Sequence, residues 1–243
     1  MSAARTLATA RRVISQLRHD PRTVALILVV PIVLMGLLAW MLDDQDFNQY
    51  GAPLLGIFPL IVMFLTTSVA TLRERTSGTL ERLLSMPIAK TDFVLGYALA
   101  FGVLGVIQAV LVAGLSLSAF GLDVPGPAWA LIVVAVVDAL LGTALGLFVS
   151  AFATTEFQAV QFMPALIFPQ LLLCGIIVPR DDLPTALRLV SDVLPMSYAV
   201  DATTQVMTSA SMSSEFWVDV GIVAAFMIVG LILGAATLRR RTP

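Results

Sequence analysis

The sequence predicts an all-α integral membrane protein with six transmembrane helices. Three observations support this prediction: 58% of the 243 residues are apolar, only 12% are charged, and the mean hydropathy is +0.95. Such a composition excludes a soluble globular domain. Because nearly every residue falls in an apolar run or in a short connection between two runs, we expect residues 1–243 to form a single transmembrane domain.

Six apolar runs are long enough to cross a bilayer. A helix needs about 20 apolar residues to cross roughly 30 Å of hydrocarbon, because lipid offers backbone N–H and C=O groups no other partners. The runs cover approximately residues 23–42, 51–71, 93–120, 129–152, 160–178 and 217–238. No small-x-small cleavage site follows the first run, so we expect it to remain as a span rather than act as a cleaved signal peptide.

Positive charge lies almost entirely on one side of these spans. Twelve of the 14 Lys and Arg residues precede the first span, lie between the second and third, or follow the sixth: Arg5, Arg11, Arg12, Arg18, Arg22, Arg73, Arg75, Arg82, Lys90, Arg239, Arg240 and Arg241. The opposite loops carry mainly acids: Asp43, Asp44, Asp46, Asp123, Asp181 and Asp182. Because Lys and Arg beside short loops stay in the cytoplasm, both termini are expected there, as an even span count requires.

Residues 1–22 have the pattern of an amphipathic helix. Apolar residues recur at helical spacing at Leu7, Ala10, Ile14 and Leu17, while the arginines fall largely elsewhere around the helix. This pattern favours a helix lying on the inner membrane surface. The alternative is a disordered basic tail that serves only to orient the first span.

A charged segment at residues 72–92 separates the second and third spans. Its apolar residues Leu80, Leu83 and Leu84 fall at i, i+3 and i+4 and so form one stripe. Thr76 or Ser77 is expected to cap the start of the helix, and the Pro that follows Met86 ends it. The segment therefore predicts a short amphipathic helix on the cytoplasmic face.

Two stretches resemble the membrane subunits of type-2 ATP-binding cassette (ABC) exporters, in particular daunorubicin-type drug-efflux permeases. Residues 74–81 have the sequence ERTSGTLE, followed by LLSMP at residues 83–87, which is similar to the Glu-x-x-x-Gly-Thr-Leu-Glu pattern of that family's first cytoplasmic loop. Residues 175–179 have the sequence GIIVP and residues 194–201 have LPMSYAVD, which resemble the region after the family's fifth span. There the chain re-enters the membrane, so the resemblance implies a re-entrant segment within residues 179–216.

The resemblance implies that the cytoplasmic segment is a coupling helix, which docks into a groove on an ATPase subunit. The implied coupling residues are Glu74, Gly78, Thr79, Leu80, Glu81 and Arg82. The alternative is an interfacial helix that packs only on neighbouring spans.

The resemblance also implies partner chains. A phosphate-binding loop needs a glycine-rich turn ending in Gly-Lys-Ser/Thr, and the one lysine, Lys90, has no glycine beside it. ATP and Mg are therefore expected on a separate ABC ATPase subunit, present in two copies. Six spans are half of what the family assembles around its path, which implies a homodimer or a heterodimer with a sister permease. No nucleic-acid partner is expected.

No feature of the sequence predicts catalysis or a bound cofactor. Cys174 and His19 are each the only residue of their type, so no metal-ligating cluster and no Ser-His-Asp arrangement can be assembled. We therefore expect a transport subunit and not an enzyme.

Asp138 lies near the middle of the fourth predicted span, where an ionisable group is costly. It can bind a cationic substrate or relay a proton, or it can be protonated or hydrogen-bonded to Gln108 or Thr143. The resemblance implies that the second and fifth spans line the transport path, which makes Phe162, Phe168 and Gln170 further candidates for substrate contact.

Four glycines in the spans have a packing role by their spacing. Gly142 and Gly146, and likewise Gly230 and Gly234, have the Gly-x-x-x-Gly spacing that lets helices approach closely. We expect close helix contacts at these positions and no binding site.

The function predicted from the sequence is the permease subunit of an ATP-driven exporter that moves amphipathic drugs, antibiotics or lipids. The Arg-, Ala- and Val-rich composition is typical of a high-GC bacterium, so the expected location is a bacterial plasma (inner) membrane. One alternative is a proton-coupled secondary transporter that uses Asp138. Another is an anchor or sensor subunit without transport activity.

Overall fold

A computed structural model describes residues 2–77 and 89–237. Within these ranges every regular element is helical, in agreement with the predicted fold class, and no strand occurs. The elements are α1 (Ala3–Arg18), α2 (Pro21–Met41), α3 (Asp44–Thr76), α4 (Lys90–Ser118), α5 (Ala128–Val149), α6 (Glu156–Leu173), a 3₁₀ turn (Arg180–Asp182), α7 (Thr185–Ser191), α8 (Pro195–Thr208) and α9 (Ser214–Thr237).

Five helices in the described ranges are long and apolar enough to cross a membrane: α2, α3, α4, α5 and α9. They correspond to five of the six predicted spans. The remaining one, predicted at residues 160–178, is represented by α6, which has 18 residues and ends earlier, at Leu173. Because α6 also carries two prolines and three glutamines, it does not reach the hydropathy of the other five. A crossing by α6 stays a prediction.

Helix α3 is longer at both ends than the predicted second span of residues 51–71. It begins at Asp44, because the Asp43 carboxylate caps it by accepting from the Asp46 N–H at 2.9 Å. It continues to Thr76, so Thr76 does not cap the start of a cytoplasmic helix as predicted. Instead its hydroxyl donates to the Leu72 carbonyl at 3.2 Å within α3, and Ser77 follows as the helix end.

Helix α5 lies at the centre of the bundle and packs against α3, α4 and α9. A Cβ atom at Gly142 would collide with the backbone of Leu60, and one at Gly146 would lie 2.6 Å from the Phe64 carbonyl oxygen. On the other side of α5, helix α9 packs closely through Gly230, where a Cβ would lie 3.3 Å from the Ala144 side chain. The close contacts predicted from the glycine spacing are therefore present.

The region between α6 and α9 folds into a short cap followed by a buried helix. Gly175 has φ +100°, a conformation that favours glycine, and it turns the chain out of α6 toward the 3₁₀ turn. Helix α8 packs against α3, α5, α6 and α9, and it buries Met196, Ala199, Ala202 and Val206. The region occupies residues 174–213 in the structure. The predicted extracellular or re-entrant region of residues 179–216 stays a prediction.

The contact of Gly142 with the Leu60 backbone predicts a strong effect of a single added methyl group. Gly142→Ala should lower the thermal unfolding midpoint by about 2 °C or more, because overpacking costs about 1–3 kcal/mol. Gly114→Ala is the matched control, since a Cβ at Gly114 of α4 meets nothing within 4 Å. Unfolding of the two detergent-purified variants can be followed by intrinsic fluorescence. Equal midpoints would contradict the close α3–α5 contact.

Candidate functional site

The segment predicted to couple to an ATPase lies between the end of α3 and the start of α4. Gly78, Thr79, Leu80, Glu81 and Arg82 lie outside the described residues. The structure does describe the two helix ends that flank this segment. Glu74 occupies the last turn of α3 and Asp92 the first turn of α4.

Glu74 binds the N-terminal helix. Its Oε1 accepts from Arg12 Nη1 at 3.3 Å and from Gln16 Nε2 at 3.0 Å. The side chains of Arg12 and Glu74 are only 29% and 12% exposed, so water screens this ion pair less than it screens a surface pair. The end of α3 is therefore held against α1.

The same arginine also reaches α4. Arg12 Nη2 donates to the Tyr97 hydroxyl at 2.8 Å, and its guanidinium lies 5.9 Å from the Tyr97 ring centroid. The Tyr97 ring packs in turn on Phe93, with the ring centroids 4.4 Å apart. Arg12 thus links α1 to both helices that flank the predicted coupling segment.

Asp92 makes a second connection between α4 and α1. Its Oδ1 accepts from the Ser2 N–H at 3.0 Å and from Thr6 Oγ1 at 3.5 Å, while Oδ2 accepts from the Ala89 N–H at 3.3 Å. A carboxylate in this position satisfies N–H groups that a helix start leaves unpaired. Gly96 allows the two helices to approach, because a Cβ there would lie 2.5 Å from Thr9 Cβ.

We call this set of contacts the α1 clamp: Arg12, Gln16, Glu74, Asp92 and Tyr97. It fastens the last turn of α3 and the first turn of α4 to one helix. The two helix ends that flank the predicted coupling segment therefore share contacts with α1.

Two further contacts tie the end of α3 to other parts of the bundle. Arg73 donates to both carboxylate oxygens of Glu156 at the start of α6, at 2.7 and 3.0 Å. These side chains are 61% and 51% exposed, so the pair contributes little to stability. Arg75 donates to the Ser150 carbonyl at the end of α5.

Asp138 is enclosed where α3, α5, α8 and α9 meet. Its side chain is 1% exposed and lies against Gly56, and its Oδ1 has no hydrogen-bond partner among the described residues. The two expected partners are engaged elsewhere: Gln108 donates to the Ile27 carbonyl at 2.6 Å, and Thr143 donates to a carbonyl of its own helix at 3.0 Å. The Asp138 carboxyl group is therefore closed off from solvent by the described residues of one chain.

The other three residues predicted to contact substrate lie on α6 and face different ways. Phe162 is partly buried on a small cluster that includes Leu72. Phe168 is exposed on the outer face of α6. Gln170 is buried, donates to the Leu166 carbonyl at 2.9 Å and accepts from the Met196 N–H at 3.4 Å. Within one chain these side chains do not form a common site.

Sequence reasoning missed an arginine-centred cluster at the opposite end of the bundle. Arg180 donates to Asp201 and to Asp192, and its guanidinium lies 5.4 Å from the Tyr198 ring centroid. Burial raises the pKa of Asp201 above its usual range, although the charge of Arg180 opposes that rise. The presence of two arginines, Arg180 and Arg188, in an acid-rich loop was the signal that could have indicated this cluster.

Sequence reasoning counted Arg12 among the charges that orient the first span and among the arginines of an amphipathic helix, but it did not predict a partner for it. Arg12 and Gln16 are four residues apart and so lie on the same face of α1. A cation and an amide on one face indicate a polar partner, but the partner itself is 58 or more residues away in sequence.

Within residues 2–77 and 89–237, long apolar helices and a charged segment between α3 and α4 are the architecture of a multi-pass membrane protein. The chain belongs to the ABC-2 type transporter family, which it matches over residues 5–208. The resemblance noted from residues 74–81 and 175–201 is therefore confirmed.

Relatives with described roles are similar to this chain at low identity. The probable multidrug ABC transporter permease YbhR of Escherichia coli (strain K12) is 24% identical over 73% of this chain and 49% of its own length. YbhS of the same strain, described in the same words, is 27% identical over 77% and 50%. The linearmycin resistance permease protein LnrN of Bacillus subtilis (strain 168) is 24% identical over 87% and 55%. The chain spans about half the length of these relatives.

The α1 clamp predicts that α1 loosens when Glu74 is removed. Glu74→Ala should speed backbone hydrogen exchange in peptides covering residues 3–18 by about tenfold, because a lost hydrogen bond to a charged group costs roughly 1.5–3 kcal/mol. Glu156→Ala is the matched control, since it breaks the exposed pair with Arg73 and leaves α1 untouched. Mass spectrometry of both variants reports the exchange. The clamp is wrong if α1 exchanges equally slowly in both.

Proposed function

We propose that this protein is the membrane-spanning permease subunit of an ATP-driven ABC exporter. Membership in the ABC-2 type transporter family supports the proposal, as do the names of relatives that are multidrug or resistance permeases. The observation that carries it most directly is the α1 clamp, which holds both ends of residues 78–88. Such a support is what a segment needs if it is to receive a force and pass it on.

In this mechanism the energy comes from another chain. An ABC ATPase subunit, present in two copies, binds ATP and Mg and closes on ATP binding. Its closure pushes the helix predicted between α3 and α4, with Gly78, Thr79, Leu80, Glu81 and Arg82 as the contact residues. Glu74 and Asp92 transmit the movement to α1, α3 and α4.

The proposal includes a second permease subunit, identical or related. Helix α6 supports it, because α6 leaves a row of four large apolar side chains exposed along one side: Phe157, Val160, Phe168 and Leu172. With α6 as the fifth of six spans, this row faces either lipid or the partner permease. Phe168 then contributes to the path between protomers, and both termini lie in the cytoplasm of a bacterial cell.

The proposed substrates are amphipathic small molecules such as drugs, antibiotics or lipids. The described chain offers apolar helix faces and short loops, which suit a molecule that enters from the bilayer. The relatives' names add multidrug and linearmycin resistance, which are properties of those proteins.

Charge reversal in the coupling segment tests the partnership with an ATPase. The Glu81→Arg variant should lose the ABC ATPase that co-purifies with the tagged permease from its native host in mild detergent. Asp123→Arg is the matched control, because it makes the same charge change at an exposed residue of the opposite loop. If the Glu81→Arg variant inserts normally and still retains the ATPase, Glu81 is not part of the coupling surface.

Asp138 separates the exporter from a proton-coupled transporter, the alternative that the relatives do not favour. Asp138→Asn keeps the shape of this enclosed side chain and removes its charge. An ATP-driven exporter should keep most of its efflux, within about twofold, whereas a transporter that carries protons on Asp138 should lose it. Efflux of a fluorescent amphiphile from cells, with and without a protonophore, distinguishes the two.

A further inference from the structure

A groove of about 550 Å³ lies between α1, α2, α3 and α4, at the end of the bundle where the arginines cluster. This volume falls in the range of small-molecule sites, about 300–1,000 Å³. Apolar side chains form its walls: Val13 and Leu17 from α1, Leu26 from α2, and Leu65 and Val69 from α3.

The charged residues lie at one end of the groove, and the rest of the lining is mostly apolar, with Thr66 as a polar exception. The ionisable lining residues are Asp20, directly before α2, and Arg73 and Glu74 in the last turn of α3. Leu26 and Leu65 line the groove further along the same helices, away from these ends. The groove therefore suits a molecule with one polar end and an apolar body.

Of the three ionisable groups that line the groove, Asp20 is the one that forms no salt bridge within the described ranges. Arg73 donates to both oxygens of Glu156, and Glu74 accepts from Arg12. The Asp20 carboxylate accepts from the Thr23 N–H at 3.2 Å and from the Thr23 hydroxyl at 2.6 Å.

Asp20 remains ionised in this setting. The Thr23 hydroxyl and N–H lower the pKa of the Asp20 carboxyl below its usual range, and the charge of Arg73 lowers it slightly further. A carboxylate at the polar end, with the lining cation already paired, attracts a cation and repels an anion.

The groove is open sideways toward the surroundings of α2. Leu26 is 63% exposed, and α2 buries only Ile27, Pro31 and Met35 in the bundle. An amphiphile in the surrounding lipid can therefore reach Leu26 without crossing the bundle.

We infer that this groove binds an amphipathic molecule carrying a single cationic amine, with the amine beside Asp20 and the apolar body along Leu26, Leu65 and Val69. The inference rests on the proposed function only in placing the groove at the inner leaflet. The same chemistry belongs to an amine-bearing membrane lipid and to a transported cationic amphiphile.

Native mass spectrometry of the full-length, detergent-purified permease tests the inference with two probes of equal chain length, hexadecylamine and hexadecanoic acid. The unsubstituted protein should bind the amine in preference to the acid. Asp20→Asn should lower amine occupancy by about tenfold, because a charge-assisted contact is lost, while asparagine still caps α2. Asp43→Asn is the matched control: it makes the same change at the N-cap of α3, at the other end of the bundle.

Two outcomes would overturn the inference: equal amine occupancy in Asp20→Asn and Asp43→Asn, or equal binding of amine and acid by the unsubstituted protein. If Asp20→Asn unfolds, Val69→Trp replaces it, since an indole would fill the groove and should displace the amine. An amine-containing adduct present before any probe is added identifies a resident lipid, and its absence identifies a ligand that arrives from outside.

This experiment requires no ATPase. If Glu81→Arg keeps its ATPase while amine binding depends on Asp20, the binding site stands and the coupling proposal fails. If the ATPase is lost as predicted and the amine binds no better than the acid, the exporter stands without this site.

Discussion

Arg12 is the residue on which the α1 end of the helical bundle depends. Its guanidinium donates to Glu74 on α3 and to Tyr97 on α4, two positions that are 23 residues apart in sequence, from a helix that precedes both. A partly buried guanidinium must keep its hydrogen bonds, since an unpaired buried charge costs far more than the pair contributes. The positions of α1, α3 and α4 are therefore set together, and the segment between α3 and α4 is supported at both ends.

Rigid contacts between spans complement this polar clamp. The glycines of α5 bring its backbone against those of α3 at Gly142 and Gly146, so the two helices cannot slide without a collision. A movement that reaches α3 through Glu74 is therefore shared with α5. The same close packing encloses Asp138 beside Gly56. Its carboxyl group is therefore kept from solvent, although one of its oxygens has no hydrogen-bond partner among the described residues.

Arg180 organises the opposite end of the bundle in a similar way. It joins the turn after α6 to Asp192 and Asp201, while the Tyr198 hydroxyl donates to the Asp192 carbonyl at 2.6 Å. The two ends thus share one physical design, in which an arginine joins elements that are distant in sequence. Between them the described helices are joined mostly by apolar packing, with a hydrogen bond from Gln108 of α4 to the Ile27 carbonyl of α2 as a polar exception.

The sequence by itself determined the class, the helical fold, five of the six predicted spans and the family, because hydrophobic run length and a local motif need no tertiary information. It also indicated the glycine contacts through their spacing. Only the tertiary structure decided that Glu74 belongs to α3 and that Arg12 is its partner. It also decided that Arg73 forms a salt bridge with Glu156, while Asp20 forms none among the described residues. Ion pairs join residues far apart in the chain, and charge order along a sequence does not specify which pairs form. That is why the α1 clamp and the groove could not be predicted from the sequence, although the sequence contains each of their residues.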